Sequence, residues 1–133
     1  MELFIIILML ALLQYILFSF QTGMARVKYG VKAPAVTGDP LFERFYRVQQ
    51  NTLEQLVVFI PAMVAFAFIA ERIAWPGFKI ATGLGGVWLL GRTLYARAYL
   101  KDPESRGLGF MLTFLPSVGL LAGTLIACVL AII

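Results

Sequence analysis

Long apolar runs separated by short polar segments dominate the chain. The first run extends from Leu3 to about Met24, and Gln14 and Gln21 are its only strongly polar side chains. The last run, Leu108 to Ile133, contains no charged residue. An α-helix needs about 20 predominantly apolar residues to cross the hydrocarbon core of a bilayer. Both runs therefore predict transmembrane helices.

The two middle runs are too short to cross a membrane without help from polar neighbours. At helical rise, residues 56–70 would span roughly 22 Å and residues 80–91 roughly 18 Å, whereas the hydrocarbon core is about 30 Å thick. The second helix must therefore begin further upstream, and the third must continue further downstream. The side chains that this extension brings to the membrane boundary are Arg47, Asn51, Glu54, Arg92, Tyr95 and Tyr99.

The segments between the runs carry turn signals. Residues 26–41 form a polar loop with two prolines, and residues 75–77 read Trp-Pro-Gly, a tight turn. Asp102 precedes Pro103 and Glu104 in the pattern of a helix N-terminus. The sequence thus predicts an all-α membrane protein with one domain over residues 1–133. Its four transmembrane helices are expected at about 3–25, 43–71, 78–100 and 104–132.

Composition supports a membrane protein and narrows the chemistry. The chain is 61% hydrophobic and 14% charged, whereas a soluble domain carries about 25% charged residues. It contains one cysteine and no histidine. An internal disulfide, a histidine general base and an ordinary zinc site are therefore excluded. We expect no metal cofactor.

The net charge of +4 is explained by topology, so we expect no nucleic-acid partner. Basic residues are concentrated on the side of the first and third loops, which the positive-inside rule assigns to the cytoplasm. The absence of targeting signals and the short chain favour a bacterial inner membrane, although a protein of the endoplasmic reticulum would look similar. The basic residues on the side of the first and third loops are Arg26, Lys28, Lys32, Arg44, Arg47, Arg97, Lys101 and Arg106.

The polar side chains of the second and third helices each lie on one helix face. Their spacings are i, i+4, i+7 on the second helix and i, i+3, i+7 on the third. Ionisable groups in a membrane usually face the bundle interior or a wet cavity. Arg44 extends the stripe of the second helix. The spacing leaves open whether it has a structural role, in an interhelical salt bridge or snorkelling to the membrane surface, or meets a ligand.

Arginine is in excess among these helix ends. Glu54 cannot neutralise Arg26, Arg47, Arg92 and Arg106 together, which predicts an anionic ligand with more than one carboxylate. The alternative is structural. Arg47, Asn51 and Glu54 could pair with one another, and the tyrosines could be interfacial anchors.

Three blocks of sequence resemble the MAPEG family, the membrane-associated proteins in eicosanoid and glutathione metabolism. Residues 43–54 carry the family pattern E-R-x-x-R-x-x-x-N-x-x-E. Gly91 and Arg92, followed by Tyr95, Tyr99 and Arg106, form a second block, and residues 25–26 form a third. The resemblance covers nearly the whole chain.

The resemblance implies a homotrimer that binds glutathione between neighbouring subunits, near the cytoplasmic side. It makes Arg106 the catalytic residue that activates the thiol. A free thiol has a pKa of about 8.5, and a nearby guanidinium favours the thiolate. The glutathione-binding residues implied in the same way are Arg26, Arg47, Gln49, Asn51, Glu54, Arg92, Tyr95 and Tyr99.

The activity that this implies is that of a glutathione transferase or peroxidase acting on lipophilic electrophiles or lipid hydroperoxides from the membrane. Val27 and Gln55 depart from members that resemble leukotriene C synthases, so a general detoxifying role is expected. One alternative is a non-catalytic, lipid-binding scaffold of the same family. A small transporter is less favoured, because helix one lacks a buried carboxylate.

Overall fold

The structure is a computed structural model that describes residues 1–133. It contains four α-helices and no strand, which confirms the all-α prediction. The third and fourth helices are joined by a short 3-10 turn, so Arg106 ends this turn and does not lie inside the first α-helical turn. The elements are α1 (Glu2–Tyr29), α2 (Pro40–Arg72), α3 (Gly77–Lys101), the 3-10 turn (Pro103–Arg106) and α4 (Gly107–Ile132).

The first loop is shorter than the sequence pattern predicts. Helix α1 continues until Gly30 adopts the left-handed conformation with φ of 69°, a geometry that glycine adopts without strain. Helix α2 begins at Pro40 because the Asp39 carboxylate accepts hydrogen bonds from the backbone N–H of Leu41 and Phe42 at 2.8 and 3.0 Å. Proline suits the first position of a helix, so the loop ends before it.

Helices α2 and α3 form the centre of the bundle. Both α1 and α4 pack against this central pair from either side. Successive helices run in opposite directions, since Thr22 of α1 donates to the Phe45 carbonyl near the start of α2 while Arg92 of α3 reaches residues 51 and 52 of α2. The end of α1, the start of α2, the end of α3 and the 3-10 turn therefore lie at the same end of the molecule.

Aromatic and aliphatic side chains fill the interior toward the opposite end. Trp88 stacks on Phe59 with ring centroids 4.5 Å apart and planes 10° from parallel. Met63, Phe66 and Leu120 are buried in the same cluster. We refer to this cluster as the apolar core.

Three of the four helices are long and apolar enough to cross a membrane: α1, α2, and α4 together with the 3-10 turn. Helix α3 has the length, but it includes Lys79, Arg92, Arg97 and Lys101. The outer faces of the bundle are apolar, and Leu90 and Leu125, for example, are 66% and 69% exposed. These faces suit contact with lipid or with other protein chains.

Two glycines allow α4 to lie directly on α3 beside Arg92. A Cβ atom at Gly109 would collide with the backbone of Tyr95, and one at Gly91 would collide with Leu112. Small residues at such crossings let helix backbones approach closely in membrane proteins. This close packing fixes the wall behind the polar residues of α3.

Candidate functional site

Arg92 lies at the centre of the polar region and is wholly buried. Its Nη1 donates to Asn51 Oδ1 and its Nη2 to Thr52 Oγ1, both at 3.0 Å. Its guanidinium carbon lies 4.1 Å from the centre of the Tyr95 ring, within the range of a cation–π interaction. No carboxylate lies within ion-pair distance. The guanidinium therefore ties α3 to α2 through neutral partners.

Asn51 links this buried arginine to the surface. While its oxygen accepts from Arg92, its Nδ2 donates to Glu54 Oε2 at 3.3 Å. The Glu54 carboxylate is exposed. Arg47, one turn before Asn51, is also exposed and makes no hydrogen bond or ion pair. Of the pairings considered among these three residues, only that of Asn51 with Glu54 forms.

A column of aromatic rings extends from Arg92 to Arg106. Tyr95 and Tyr99 stack with centroids 5.5 Å apart, and the Arg106 guanidinium carbon lies 5.5 Å from the centre of the Tyr99 ring. Arg106 itself is exposed, and its only hydrogen bond is a long one to the Pro103 carbonyl, at 3.4 Å. The Arg106 guanidinium thus lies at the end of the tyrosine column opposite Arg92.

This region, which we call the polar end, contains no internal ion pair. The one ion pair in the chain joins the N-terminal amine to Glu2, at the other end of α1. Exposed cations and an exposed carboxylate therefore remain free to meet the charges of a ligand. The members of the polar end are Arg47, Asn51, Glu54, Arg92, Tyr95, Tyr99 and Arg106.

Two residues implied by the family resemblance lie apart from the polar end. Arg26 donates to the Ala35 carbonyl at 2.6 Å and lies 4.8 Å from the centre of the Phe42 ring, so it holds the first loop against α2. Gln49 is two positions from both Arg47 and Asn51, which places it about 200° around the helix. A single chain therefore does not bring all nine predicted residues together.

Three residues shape this region in ways that the sequence pattern did not predict. Thr52 accepts a hydrogen bond from Arg92, and nothing in the pattern distinguishes it from its neighbours. Gly91 and Gly109 set the distance between α3 and α4. The role of the two glycines could have been predicted, because small residues at matching depths of two antiparallel helices are typical of close packing.

Two clefts of the single chain lie away from the polar end. A cleft of about 410 Å³ is lined by Arg26 and the first loop. An apolar groove of about 510 Å³ separates α2 from α4 and includes Val57 and Leu125. A ligand at the polar end would meet the exposed side chains of Arg47, Glu54 and Arg106.

Comparison with known proteins identifies the class of this one. Residues 4–126 match the sequence model of the MAPEG family. The chain belongs to this family, and with its apolar helices it is an integral membrane protein. The resemblance found in the three sequence blocks is thereby confirmed.

Individual relatives are between a third and a half identical to the chain over the aligned residues. An uncharacterized protein of Synechocystis is 46% identical over 118 residues, which cover 89% of this chain and 82% of the relative. Human microsomal glutathione S-transferase 2 is 40% identical over 105 residues, 79% of this chain and 65% of the human protein. Bovine leukotriene C4 synthase is 34% identical over 89 residues, 67% of this chain and 55% of the synthase. The chain thus spans less than two thirds of the human and bovine proteins.

Proposed function

We propose that this protein is a membrane-bound glutathione transferase that binds glutathione at the polar end and activates its thiol as the thiolate. The observation that carries the proposal is the set of exposed charges of the polar end that form no ion pair: Arg47, Arg106 and Glu54. Glutathione presents two carboxylates, one amine and one thiol. The family membership and the glutathione transferases among the relatives support this choice of ligand.

Each exposed group has a role in this proposal. Arg47 binds a carboxylate of glutathione, and Glu54 binds its amine. Arg106 stabilises the negative charge of the sulfur, which lowers the pKa of the bound thiol. The thiolate then attacks an electrophilic carbon, a carbon–sulfur bond forms, and the leaving group departs. With a lipid hydroperoxide, the same thiolate attacks the distal oxygen, so that an S–O bond forms and the O–O bond breaks. The lipid alkoxide takes up a proton and leaves as the alcohol, and the glutathione sulfenic acid condenses with a second glutathione to give the disulfide and water.

Arg92 takes a supporting role in this proposal. Because its side chain is wholly buried, no ligand touches it in this arrangement of the chain. It instead orients Asn51, whose amide is also bonded to Glu54. Tyr95 is similarly buried at 3% exposure, whereas Tyr99 is half-buried and offers its ring edge and hydroxyl to the ligand.

We further propose that three copies of the chain assemble and that each glutathione site lies between two of them. Gln49 and Arg26 lie away from the polar end, so they complete a site only if they belong to a neighbouring copy. The exposure of Arg47, Glu54 and Arg106 in the single chain supports the same arrangement. Light scattering of the detergent-solubilised protein, corrected for bound detergent, would give the mass of the assembly, and a monomer would contradict the proposal.

The excess of basic residues at this end favours the cytoplasmic side of a bacterial inner membrane. Lys28 and Lys32 are exposed in and beside the first loop and provide a test. In sealed, right-side-out vesicles, a membrane-impermeant amine reagent should leave both lysines unmodified, and in inverted vesicles it should modify them. The reverse pattern would place the site on the other side.

The direct test of function is a titration of purified protein with glutathione at neutral pH, followed by the ultraviolet absorption of the thiolate and by calorimetry. Wild-type protein should bind glutathione and develop the thiolate signal. Arg106→Ala should bind but lose the signal, and Arg97→Ala is the matched control because Arg97 is an exposed arginine without a hydrogen bond. Neither binding nor signal in the wild type would instead favour a lipid-binding scaffold, for which the apolar groove between α2 and α4 is suited.

A further inference from the structure

The connection between α3 and α4 carries two members of the polar end. Tyr99 lies in the last turn of α3, and Arg106 ends the 3-10 turn. This turn packs against α3 and α4 but has no comparable contact with α2. Since Asn51 and Glu54 belong to α2, the distance between the two parts of the site depends on whatever joins α2 to this connection.

Arg44 provides the hydrogen bonds of that join, beside the apolar packing of Val48 in one cluster with Tyr95 and Leu100. Its Nη1 donates to the carbonyl oxygens of Leu100 and Lys101 at 3.0 and 2.9 Å. Both belong to the last turn of α3, whose carbonyls have no partner within the helix. A cation is also electrostatically favoured at a helix C-terminus. Arg44 is half-buried, and it lies one turn before Arg47 on α2.

The remaining hydrogen bonds of the connection are internal. The Asp102 N–H donates to the Ala98 carbonyl at 2.7 Å, and the Ser105 hydroxyl donates to the Asp102 carbonyl at 2.7 Å. These bonds shape the turn, but they reach no other helix. Among the side chains of α2, only Arg44 is hydrogen-bonded to residues 98–106.

From these contacts we infer that Arg44 is a positioning residue, which holds the end of α3, and through it Tyr99 and Arg106, at a fixed distance from Asn51 and Glu54. The guanidinium bonds the end of α3 and no side chain of the polar end, so Arg44 acts on the thiol through the positions of Tyr99 and Arg106. The inference rests on the proposed function. It predicts that loss of Arg44 separates glutathione binding from thiol activation.

The test compares Arg44→Gln and Arg44→Lys with the control Arg97→Gln in the full-length, detergent-purified protein. Calorimetry measures glutathione binding, ultraviolet absorption measures thiolate, and amide hydrogen exchange reports on residues 98–106. For Arg44→Gln we expect binding close to that of the wild type. We expect turnover and thiolate yield to fall about tenfold or more, as small misplacements of catalytic groups do. Exchange in residues 98–106 should become faster, while the apolar core stays protected.

Arg44→Lys should restore part of the thiolate yield, because it keeps a cationic donor but on a more flexible stem. Should Arg44→Gln fail to fold, the lysine variant decides alone. A reduced thiolate yield with intact glutathione binding is then expected, and a yield equal to that of Arg97→Gln overturns the inference. A parallel loss of binding and thiolate in Arg44→Gln would also overturn it, because that pattern indicates a general structural role.

The two proposals fail in different ways. Absence of both glutathione binding and thiolate in the wild-type protein refutes the proposed function before any variant is made. A wild-type thiolate signal that the Arg44 variants leave unchanged refutes only the positioning role of Arg44.

Discussion

Two adjacent turns of α3 meet α2 in opposite ways. Trp88 lies flat against Phe59 in the apolar core, where the stacked rings are wholly buried. Four residues further on, Arg92 occupies the same helix face and is equally buried, but its partners are the amide of Asn51 and the hydroxyl of Thr52. Burial of the ring stabilises the bundle. Burial of the guanidinium without a carboxylate partner carries a desolvation penalty.

The difference indicates that the two ends of the bundle have different roles. The apolar core supplies packing, and the polar end holds charges in place for a ligand. Variants in the two regions should therefore separate stability from activity. Four of them test this, in order of decreasing effect.

Replacement of Trp88 should have the largest effect. Trp88→Ala removes the ring stacked on Phe59 and leaves a cavity, which should lower the free energy of unfolding by about 3–5 kcal/mol. Thermal unfolding in detergent would measure this. Protein that remains folded should still activate glutathione. Trp75→Ala, in the exposed turn before α3, is the control and should change stability little.

Replacement of Arg106 should lower activity and leave stability nearly unchanged, the reverse of the effect expected for Trp88. Arg106→Ala should lower turnover of an electrophile such as 1-chloro-2,4-dinitrobenzene by about 100-fold, the size typical for loss of one group that stabilises a developing anion. The unfolding temperature should hardly change, since the side chain is exposed. Steady-state kinetics with Arg97→Ala as control would measure the effect. Near-normal turnover would show that Arg106 does not activate the thiol.

Replacement of Gly109 should lower both the stability of the protein and its thiolate formation. The added methyl group of Gly109→Ala would collide with the backbone of Tyr95, so we expect a loss of about 1–3 kcal/mol in unfolding free energy. Displacement of Tyr95 should also weaken thiolate formation. Gly119→Ala, on the same helix but with open space at its Cβ position, should leave both unchanged or slightly raise stability. Equal effects of the two variants would contradict the close helix crossing.

Replacement of Arg92 should have the smallest effect on stability. Arg92→Met leaves Asn51 Oδ1 without its donor, while the Thr52 hydroxyl keeps its bond to the Val48 carbonyl. It also removes a buried charge that has no carboxylate partner, so a cost and a gain in stability oppose each other. We expect a change in unfolding free energy within about 1.5 kcal/mol. Glutathione binding by calorimetry should nevertheless weaken, because Asn51 and Glu54 lose their anchor. A large loss of stability would assign Arg92 to the scaffold instead.

Much of this architecture could be predicted from the order of residues. The apolar runs predicted four helices, and the arginine and tyrosine spacings placed the polar side chains of α2 and α3 on single faces. Helix ends were less predictable. The Asp39 cap moved the start of α2 to Pro40, because one side chain with two hydrogen bonds outweighed the loop-like composition around it.

The partners of each polar side chain could not be predicted from residue spacing. Spacing shows that Arg92 and Tyr95 share a face, but not that both are buried while Arg47 and Arg106 stay exposed. Spacing left open whether Arg44 has a structural role or meets a ligand, and in the structure it donates to the carbonyls of Leu100 and Lys101. These outcomes depend on which helices meet and at what depth.

The sequence by itself determined the class of molecule, the number of helices and the side chains that can bind or activate a ligand. Periodicity and hydropathy act within one helix and its solvent, and both can be counted along the chain. The tertiary structure decided which charges are buried and which side chains support others. That choice depends on distances of a few ångströms between helices, set by Gly91 and Gly109 where α3 meets α4. Residues far apart along the chain acquire these distances only when the bundle packs.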